Sequence, residues 1–360
     1  VFAGSYHGIF DEVVSRGTEA GGIRRTLPAA PGIPAASLEN IIVLEYRSEE
    51  SLRYIEAEAD HIAAVMTEPV QGGNPSILPG DFLRKLREVT TSVGVPLIFD
   101  EVVTGFRVHP GGVQGLLGIQ ADIATYGKVC GGGMPIGVVA GRKQYMDALD
   151  GGYWQYGDDS RPEANMTFFA GTFVRHPLAL AACVAVLTEL KRQGPEFQKA
   201  LNEKMARLAD QLNGLFQETH LPMSLLSFSS FGRLDVTGDM PFVGLLYYLL
   251  RERGIHIWEG RAVILTSAHD GADIQKIVAA FREGIAALQA VGLLPTGESQ
   301  DDEDAGERLS TPIPLKTALR TPPSAGARLG RTAEGHPAWF VEDPDATGSY
   351  LQLGDVLKDG

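Results

Sequence analysis

Short apolar runs alternate with helical patterns through the first half of this 360-residue chain, and this alternation constrains the fold more than any other feature. Four of the runs are predicted strands, at residues 63–67, 96–99, 123–126 and 136–140. Residues 81–93, between the first two, have apolar side chains at helical spacing and are followed by Gly94 as a stop signal. Buried strands separated by helices are typical of a mostly parallel α/β sheet. The sequence therefore predicts an α/β domain whose chemistry collects at the carboxyl ends of its strands.

The pattern changes after Gly194, where a small α+β unit is predicted. A long amphipathic helix begins this unit and another ends it. Between them, strands are predicted within residues 223–236 and 255–268, with a helix at residues 242–253. From about residue 294 to 330, proline, glycine, serine and charged residues dominate, which is typical of a linker, and aromatic residues return after it. We therefore expect a large domain at residues 1–194, a small domain at 195–293, and a linker with a tail at 294–360 that leads to a following module.

Composition and charge argue against several classes of function. The net charge of −14 and the lack of a basic stripe argue against a nucleic-acid partner. No run of about eighteen apolar residues is present, which argues against a membrane-spanning helix. The two cysteines, Cys130 and Cys183, give neither a disulfide framework nor metal spacing, and we expect a cytoplasmic protein without a metal site. Residues 1–8 are typical of a strand that runs into a turn, so we expect the sequence to begin inside a domain.

A lysine and an aspartate follow two successive predicted strands. Asp100 begins the segment DEVVTGFR, and Lys128 lies in TYGKVCGGGMPIG, before a glycine-rich turn. A lysine on such a turn has little steric cover, as a Schiff-base nucleophile requires. An aspartate at the end of the neighbouring strand can keep a pyridinium nitrogen protonated, which makes the ring an electron sink. Taken singly, the lysine is more often a solvated surface charge and the aspartate a helix cap or turn residue, but the pair on consecutive strands favours the chemical interpretation.

These two segments, with GSYHG near the start and FFAGTFVRHPLA further on, resemble class III pyridoxal 5′-phosphate (PLP)-dependent aminotransferases, closest to the branch similar to glutamate-1-semialdehyde aminomutase. RERGIHIWEGR and the final GHPAWFVEDPDATGSYLQLG are more similar still to aminotransferase domains embedded in polyketide and nonribosomal peptide synthetases. The resemblance covers about residues 1–290. It implies the PLP-dependent transferase fold type I, a three-layer α/β large domain whose N-terminal part is missing here, with a small C-terminal α+β domain.

The resemblance also implies roles for individual residues. Lys128 would hold the cofactor covalently and then move the proton at the substrate carbon. Asp100 would pair with the pyridine nitrogen of the cofactor. Val102 would pack on one face of the cofactor ring and Tyr6, of GSYHG, on the other.

Four further residues receive roles by the same resemblance. His7 would sit beside the stacking aromatic residue, although a hydrogen-bonded loop histidine is an equal alternative. Glu68, in MTEPV, would belong to the polar network around the cofactor, and Thr172 would donate a hydroxyl to its phosphate across a homodimer interface. Arg261, in WEGR, stands where the aminomutase branch has an acidic residue. An arginine suits capture of a donor carboxylate or contact with a carrier-bound acceptor, and a structural arginine at a strand end is the alternative.

The phosphate-cradling turn of the family, of the Ser-Gly-Thr-Glu-Ala type at a helix start, is not found where the resemblance requires it. Residues 17–20 spell part of it, but they follow GSYHG and no helical pattern comes after them, so we interpret the match as a coincidence. Amide groups at helix N-termini are what hold phosphate groups. We therefore expect the chain by itself to bind PLP weakly or not at all, unless an upstream segment is supplied.

Three functions remain open on the sequence. The favoured one is transamination from a glutamate or glutamine donor to a keto substrate, a carrier-bound β-ketoacyl thioester if the domain is embedded in a synthase. A stand-alone aminomutase or ω-transaminase is the second, and the Pro/Gly-rich tail and Arg261 argue against it. A truncated, non-catalytic remnant kept as a docking or scaffold unit is the third; the missing phosphate turn favours it, whereas Asp100 and Lys128 argue against it.

Overall fold

A computed structural model describes residues 1–20, 23–75, 79–296, 328–331, 337–342 and 350–355. The chain divides into two compact units, Val1–Glu298 and Ser299–Gly360. The strands of the first unit are β1 (Ser15–Ala20), β2 (Ile23–Pro28), β3 (Val65–Thr67), β4 (Leu97–Asp100), β5 (Ile123–Gly127), β6 (Gly137–Gly141), β7 (Met223–Phe228), β8 (Phe231–Val236) and β9 (Ala262–Ile264). Its helices are α1 (Glu49–Ala57), α2 (Gly80–Ser92), α3 (Gly112–Leu117), α4 (Lys143–Asp150), α5 (Pro177–Gln193), α6 (Pro195–Glu218), α7 (Gly244–Glu252) and α8 (Gly271–Ala290). Short 3-10 helices occupy Ala35–Leu38, Ala59–His61 and Lys128–Gly131.

A four-stranded sheet in the order β3-β4-β5-β6 lies at the centre of the N-terminal part. Strands β3, β4 and β5 are parallel, and β6 pairs antiparallel with β5. All four strands overlap the predicted runs, so the prediction of a mostly parallel α/β sheet is confirmed. Parallel pairs need long crossovers, and α2 and α3 lie in the crossovers that lead into β4 and β5.

An apolar core fixes these strands against the helices. Helix α2 buries Phe82, Leu83 and Leu86, and β4 buries Leu97 and Phe99, all in one hydrophobic cluster. Each such side chain contributes about 1.5–3 kcal/mol when it is fully buried. Because β4 is held in this way, the polar residues that follow it lie at a fixed position at the carboxyl end of the sheet.

A second hydrophobic cluster is formed by α6, α7 and α8 against the antiparallel sheet β7-β8-β9. Strand β8 contributes to both clusters, because side chains alternate between the two faces of a strand. Leu234 packs in the second cluster, and Phe231, on the opposite face, packs in the first. Strand β8 therefore has one face that points toward the N-terminal part of the chain.

Two predicted strand regions differ from the structure. Residues 223–236 are a hairpin of β7 and β8, with Ser229 at a φ of +57° in the turn. In the region 255–268, only β9 is a strand. A turn closed by a 3.0 Å hydrogen bond from the Arg261 N–H to the Trp258 carbonyl interrupts that apolar run. Periodicity alone does not reveal such a turn.

Residues 17–20, which spell part of the phosphate-cradling turn, lie in β1. This strand forms an antiparallel hairpin with β2, in which Gly17 is the register partner of Thr26. The segment therefore lies in a strand and does not begin a helix. The interpretation of this match as a coincidence is confirmed.

The second unit contains three strands among its described residues. They are β10 (Arg328–Arg331), β11 (Pro337–Glu342) and β12 (Tyr350–Asp355), in one antiparallel sheet in that order. The assignment of residues 328–330 to a linker was wrong, because they pair with β11, the next strand along the chain, and composition does not reveal this pairing. Residues 297–327 of the predicted linker lie outside the described residues. In the part of the chain that is described, we find no helix of the length and apolarity that a membrane crossing needs.

Candidate active site

The ends of β4 and β5 bring Asp100 and Thr125 side by side. The two residues are register partners in this parallel pair. The Thr125 hydroxyl donates to Asp100 Oδ1 at 3.2 Å, and the Val102 N–H donates to the same oxygen at 3.1 Å. One oxygen of the carboxylate is thus held from two directions, by a side chain of the next strand and by the backbone that follows β4.

His7 binds the other oxygen of the same carboxylate. Its Nδ1 lies 2.8 Å from Asp100 Oδ2, and its side chain is only 2% exposed. Burial alone would raise the pKa of Asp100, but the hydrogen bonds from His7, Val102 and Thr125 outweigh burial and hold this pKa below its usual value. In the described part of the chain, the buried Nε2 of His7 has no hydrogen-bond partner. The imidazole can therefore engage one further polar group.

Lys128 follows β5 in a backbone conformation that is uncommon for a lysine. Its φ is +46°, in the left-handed region, where a side chain costs about 1–3 kcal/mol. Glycine suits the preceding position, because a Cβ on Gly127 would lie in tight contact, 3.1 Å from the Ile136 carbonyl oxygen and 3.4 Å from Val102 Cγ1. The side chain of Val102 therefore lies directly against the backbone that carries Lys128.

Burial and three nearby charges set the pKa of Lys128. Burial is the largest influence and lowers this pKa, Asp100 and Glu68 act in the opposite direction, and Arg107 lowers it further. The net result is a pKa below the ordinary lysine value. Lys128 consequently has a larger neutral fraction near pH 7 than an exposed lysine, and the neutral amine is the nucleophilic form.

Glu68 links the GSYHG segment to the loop that follows β3. It accepts the Tyr6 N–H at 2.8 Å and the Gly72 N–H at 3.4 Å, and burial raises its pKa. The side chain of Tyr6, by contrast, is 60% exposed, so its ring is free to contact a bound molecule. The structure thus brings together six of the predicted site residues, namely Lys128, Asp100, Val102, Tyr6, His7 and Glu68.

Two predicted site residues form no hydrogen bond or ion pair with this group among the described residues. Thr172 is exposed in the turn before α5. Arg261 is exposed just before β9, with its guanidinium carbon 5.2 Å from the centroid of the Trp258 ring. Their roles at a phosphate and at a carboxylate stay predictions.

Sequence reasoning missed three residues that shape this site, namely Thr125, Gln71 and Arg107. The Gln71 amide donates to the Ala3 carbonyl at 2.7 Å and to the Ser5 hydroxyl at 3.1 Å, which holds the GSYHG segment in place. Burial lowers the pKa of Arg107. The register of β4 and β5 would have identified Thr125, whereas nothing in the spacing singled out Gln71 or Arg107.

Glu68 and Arg107 carry opposite charges, so removing one or the other should shift the pKa of Lys128 in opposite directions. Glu68→Gln removes a negative charge that favours the protonated amine, so we expect the pKa of Lys128 to fall. Arg107→Met removes a positive charge that disfavours the protonated amine, so we expect this pKa to rise. The measurement is the pH dependence of trace acetylation of Lys128, followed by peptide mass spectrometry. The exposed Lys143 in the same molecule is the internal reference. Shifts of the same sign in both variants would show that these charges do not control Lys128.

Comparison with known sequences connects this group of residues to one family. Residues 1–259 match the family described as Aminotransferase class-III. A glutamate-1-semialdehyde 2,1-aminomutase from Alkaliphilus oremlandii is 32% identical over 295 residues, which cover 79% of this chain and 66% of that protein. The chain therefore spans just under two thirds of the length of that relative.

Solved structures give the same result for the fold. An ω-transaminase from Sphaerobacter thermophilus superimposes with a TM-score of 0.69 at 26% identity, over 80% of this chain and 68% of that one. A β-phenylalanine aminotransferase from Variovorax paradoxus gives a TM-score of 0.66 at 30% identity, over 82% of this chain and 65% of that one. These neighbours and the parallel central sheet confirm the prediction of the PLP-dependent transferase fold type I. The chain belongs to the class III aminotransferases, a family of PLP-dependent enzymes.

Proposed function

We propose that this chain binds PLP through Lys128 and Asp100 and transfers an amino group from an amino acid to a keto substrate. One observation carries the proposal. The parallel strands β4 and β5 end in an ionised carboxylate and in a lysine of lowered pKa that interact electrostatically with each other. A fixed anion beside an amine of lowered pKa is the pair that this cofactor requires.

The described residues fit the cofactor. A pyridine nitrogen stays protonated next to a carboxylate that stays ionised, and hydrogen bonds from His7, Val102 and Thr125 keep Asp100 in that state. The buried Nε2 of His7, unpaired within the described residues, leaves a polar group available to a ligand in this region. When bound, PLP supplies an electron-accepting ring.

The chain's own residues divide the work of the reaction. Lys128 would hold the cofactor covalently until the amino donor displaces it, and its freed Nζ would then take the proton from the substrate carbon that bears the amino group. In the second half of the reaction, the same Nζ would deliver a proton to the carbon of the keto substrate that receives the amino group. Val102, against the Gly127 backbone, and the exposed ring of Tyr6 would bound the cofactor ring. Glu68 holds the Tyr6 backbone and so orients that ring.

We propose glutamate or glutamine as the amino donor and a carrier-bound β-ketoacyl thioester as the acceptor, as in polyketide and nonribosomal peptide synthetases. The resemblance of RERGIHIWEGR to aminotransferase domains of such synthases supports this acceptor. The structural neighbour named β-phenylalanine aminotransferase also supports it, because amination of a β-keto group yields a β-amino product. The second compact unit, Ser299–Gly360, follows the family match and suits a domain that belongs to a longer assembly. Arg261 is proposed to contact the donor carboxylate or the carrier-bound acceptor.

A glutamate-1-semialdehyde-type aminomutase is the second candidate, because the curated relative carries that name. In an aminomutase, the amino group stays on the same carbon skeleton, whereas transamination moves it to a second molecule. Incubation with ¹⁵N-glutamate separates the two candidates. Transfer of ¹⁵N to an added β-keto thioester supports transamination, and isomerisation of glutamate-1-semialdehyde without a second substrate supports the aminomutase.

The proposed enzyme acts as a homodimer with Thr172 at the interface. Large apolar side chains are exposed on both sides of Thr172, including Phe168 (92%), Phe173 (78%) and Leu178 (66%). Exposed apolar surface of this extent is typical of an interaction site. A partner subunit on this surface would bring the Thr172 hydroxyl to the cofactor phosphate of the other subunit.

The test of the proposed cofactor site is a visible absorption spectrum of the chain with added PLP. Because the phosphate-cradling turn was not found in the sequence, the titration extends to high PLP concentration, where an imine band at about 410–430 nm is expected, in the usual range of this cofactor. Borohydride reduction and peptide mapping should then place the pyridoxyl group on the peptide that contains Lys128. Recovery of the group on exposed lysines such as Lys143 instead of Lys128 would contradict the assignment.

A further inference from the structure

Arg233 lies on the face of β8 that points toward the N-terminal part of the chain. It is two residues from Phe231 and therefore shares a strand face with it, and Phe231 packs in the N-terminal hydrophobic cluster. Leu234, the next residue, points the other way into the second cluster. The register partner of Arg233 in β9 is Ala262. A long charged side chain is thus directed from the small sheet toward the N-terminal part of the chain.

The guanidinium group of Arg233 has hydrogen-bonding capacity that the described residues do not use. Its Nη1 donates to the Gly73 carbonyl at 2.7 Å, across 160 residues of sequence. Its Nε is buried and has no hydrogen-bond partner in the described part of the chain. No carboxylate among the described residues lies within 4.0 Å of the guanidinium. A buried donor without a partner is unfavourable, and an anion that accepts a hydrogen bond from Nε would offset that cost.

The loop that Arg233 contacts is part of the site. Gly72 donates its N–H to Glu68, and Gln71 binds the backbone of Ala3 in the GSYHG segment. Gly73 follows these two residues directly. The guanidinium of Arg233 therefore lies against the loop that carries Glu68 and Gln71, and this loop in turn holds the GSYHG segment with Tyr6.

We propose that Arg233 binds the carboxylate of the amino donor. The inference rests on the proposed function and names the group that selects its donor. A carboxylate has two oxygens in a plane, which suits the planar fork of a guanidinium that still has free donors. Nη1 stays on the Gly73 carbonyl, so the remaining donors have a fixed direction. Arg233 is then a specificity-determining residue, and of the two roles proposed for Arg261, stacked on Trp258 in the neighbouring turn, contact with the carrier-bound acceptor remains.

The experiment is a ligand-observed NMR titration with glutarate, a dicarboxylate that has no amino or keto group and cannot react. Binding is measured for the parent protein and for Arg233→Gln, Arg233→Lys, Arg261→Gln and Arg251→Gln, all in the presence of PLP. Arg251, stacked on the Tyr248 ring in α7, is the matched control for loss of an arginine. A parallel titration with inorganic phosphate tests whether the site takes a phosphate instead.

We expect Arg233→Gln to weaken glutarate binding about tenfold or more, as for the loss of a charged hydrogen bond. Arg233→Lys should lose part of the affinity, because lysine keeps the charge but not the fork. Arg251→Gln should bind glutarate normally. Circular dichroism confirms that each variant is folded, and Arg233→Lys serves as the test if Arg233→Gln does not fold.

Unchanged glutarate affinity in Arg233→Gln overturns the proposal, as does a loss confined to Arg261→Gln. Phosphate that binds as tightly as glutarate and depends equally on Arg233 also overturns it, because the site would then recognise phosphate. The visible band of the cofactor distinguishes failure of this proposal from failure of the proposed function. Arg233→Gln should keep the band, whereas failure of the proposed function removes the band from every variant, including the parent.

Discussion

Lys128→Ala is expected to lower the rate of amino transfer by about 10⁴-fold or more, because the covalent attachment and the proton transfer are lost together. The backbone cost should be small, because alanine keeps the same left-handed φ that lysine already adopts there. The measurement is the rate at which the visible band of the cofactor disappears after L-glutamate is added.

The control for this variant is Lys143→Ala, an exposed lysine at the start of α4. We expect Lys143→Ala to transfer amino groups at the parent rate. Partial recovery of Lys128→Ala by added small amines would support the proton-transfer role, since a free amine can take the place of the missing Nζ. Full activity in Lys128→Ala would mean that another group carries the chemistry.

Asp100→Asn is expected to slow amino transfer by about 10²–10³-fold, which is typical for the loss of one preorganised electrostatic group. Asparagine has the shape of aspartate, and its Oδ1 can still accept the hydrogen bonds from Val102 and Thr125. The main change is the loss of the negative charge of the Asp100 carboxylate, which hydrogen bonds keep ionised in the parent protein. The loss of rate should appear in kcat, because the charge of Asp100 acts on the cofactor ring during the reaction.

Asp81→Asn is the matched control, since Asp81 is exposed in the first turn of α2 and pairs with Arg84 at the surface. We expect it to have the parent kcat and the same visible spectrum. In Asp100→Asn, a shift of the visible band would report the changed protonation of the ring nitrogen. A normal kcat with a normal spectrum would remove Asp100 from the proposed mechanism.

The central part of the fold could be predicted because its signals are local. The buried runs at Leu97–Asp100 and Ile123–Gly127 are continuous and apolar, and the helix between the first two strands has a clear period. The region 255–268 was predicted poorly because a turn at Trp258 depends on a backbone hydrogen bond that periodicity does not encode. The strand Arg328–Arg331 was missed because the composition of this region is typical of a linker and does not show that the strand pairs with β11, the next strand along the chain.

For the candidate site too, local signals could be predicted from the sequence, whereas contacts between distant segments could not. Asp100 and Lys128 could be singled out as candidates because each follows a predicted strand and neighbouring parallel strands end at the same edge of a sheet. The hydrogen bond between His7 and Asp100 spans 93 residues and could not be read from either local segment. Gln71 and Arg233 act through contacts between distant parts of the chain, so only the folded structure reveals them.

The left-handed backbone of Lys128 implies that the residue needed for activity lowers the stability of the fold at this position. Glycine reaches such a φ without steric cost, so the fold alone would prefer glycine at this position. Lysine is retained against that preference, and the resulting loss of stability has to be offset elsewhere. A laboratory selection for heat resistance alone would therefore remove this lysine early. Directed evolution of this protein should accordingly select for amino transfer and thermal stability in the same round.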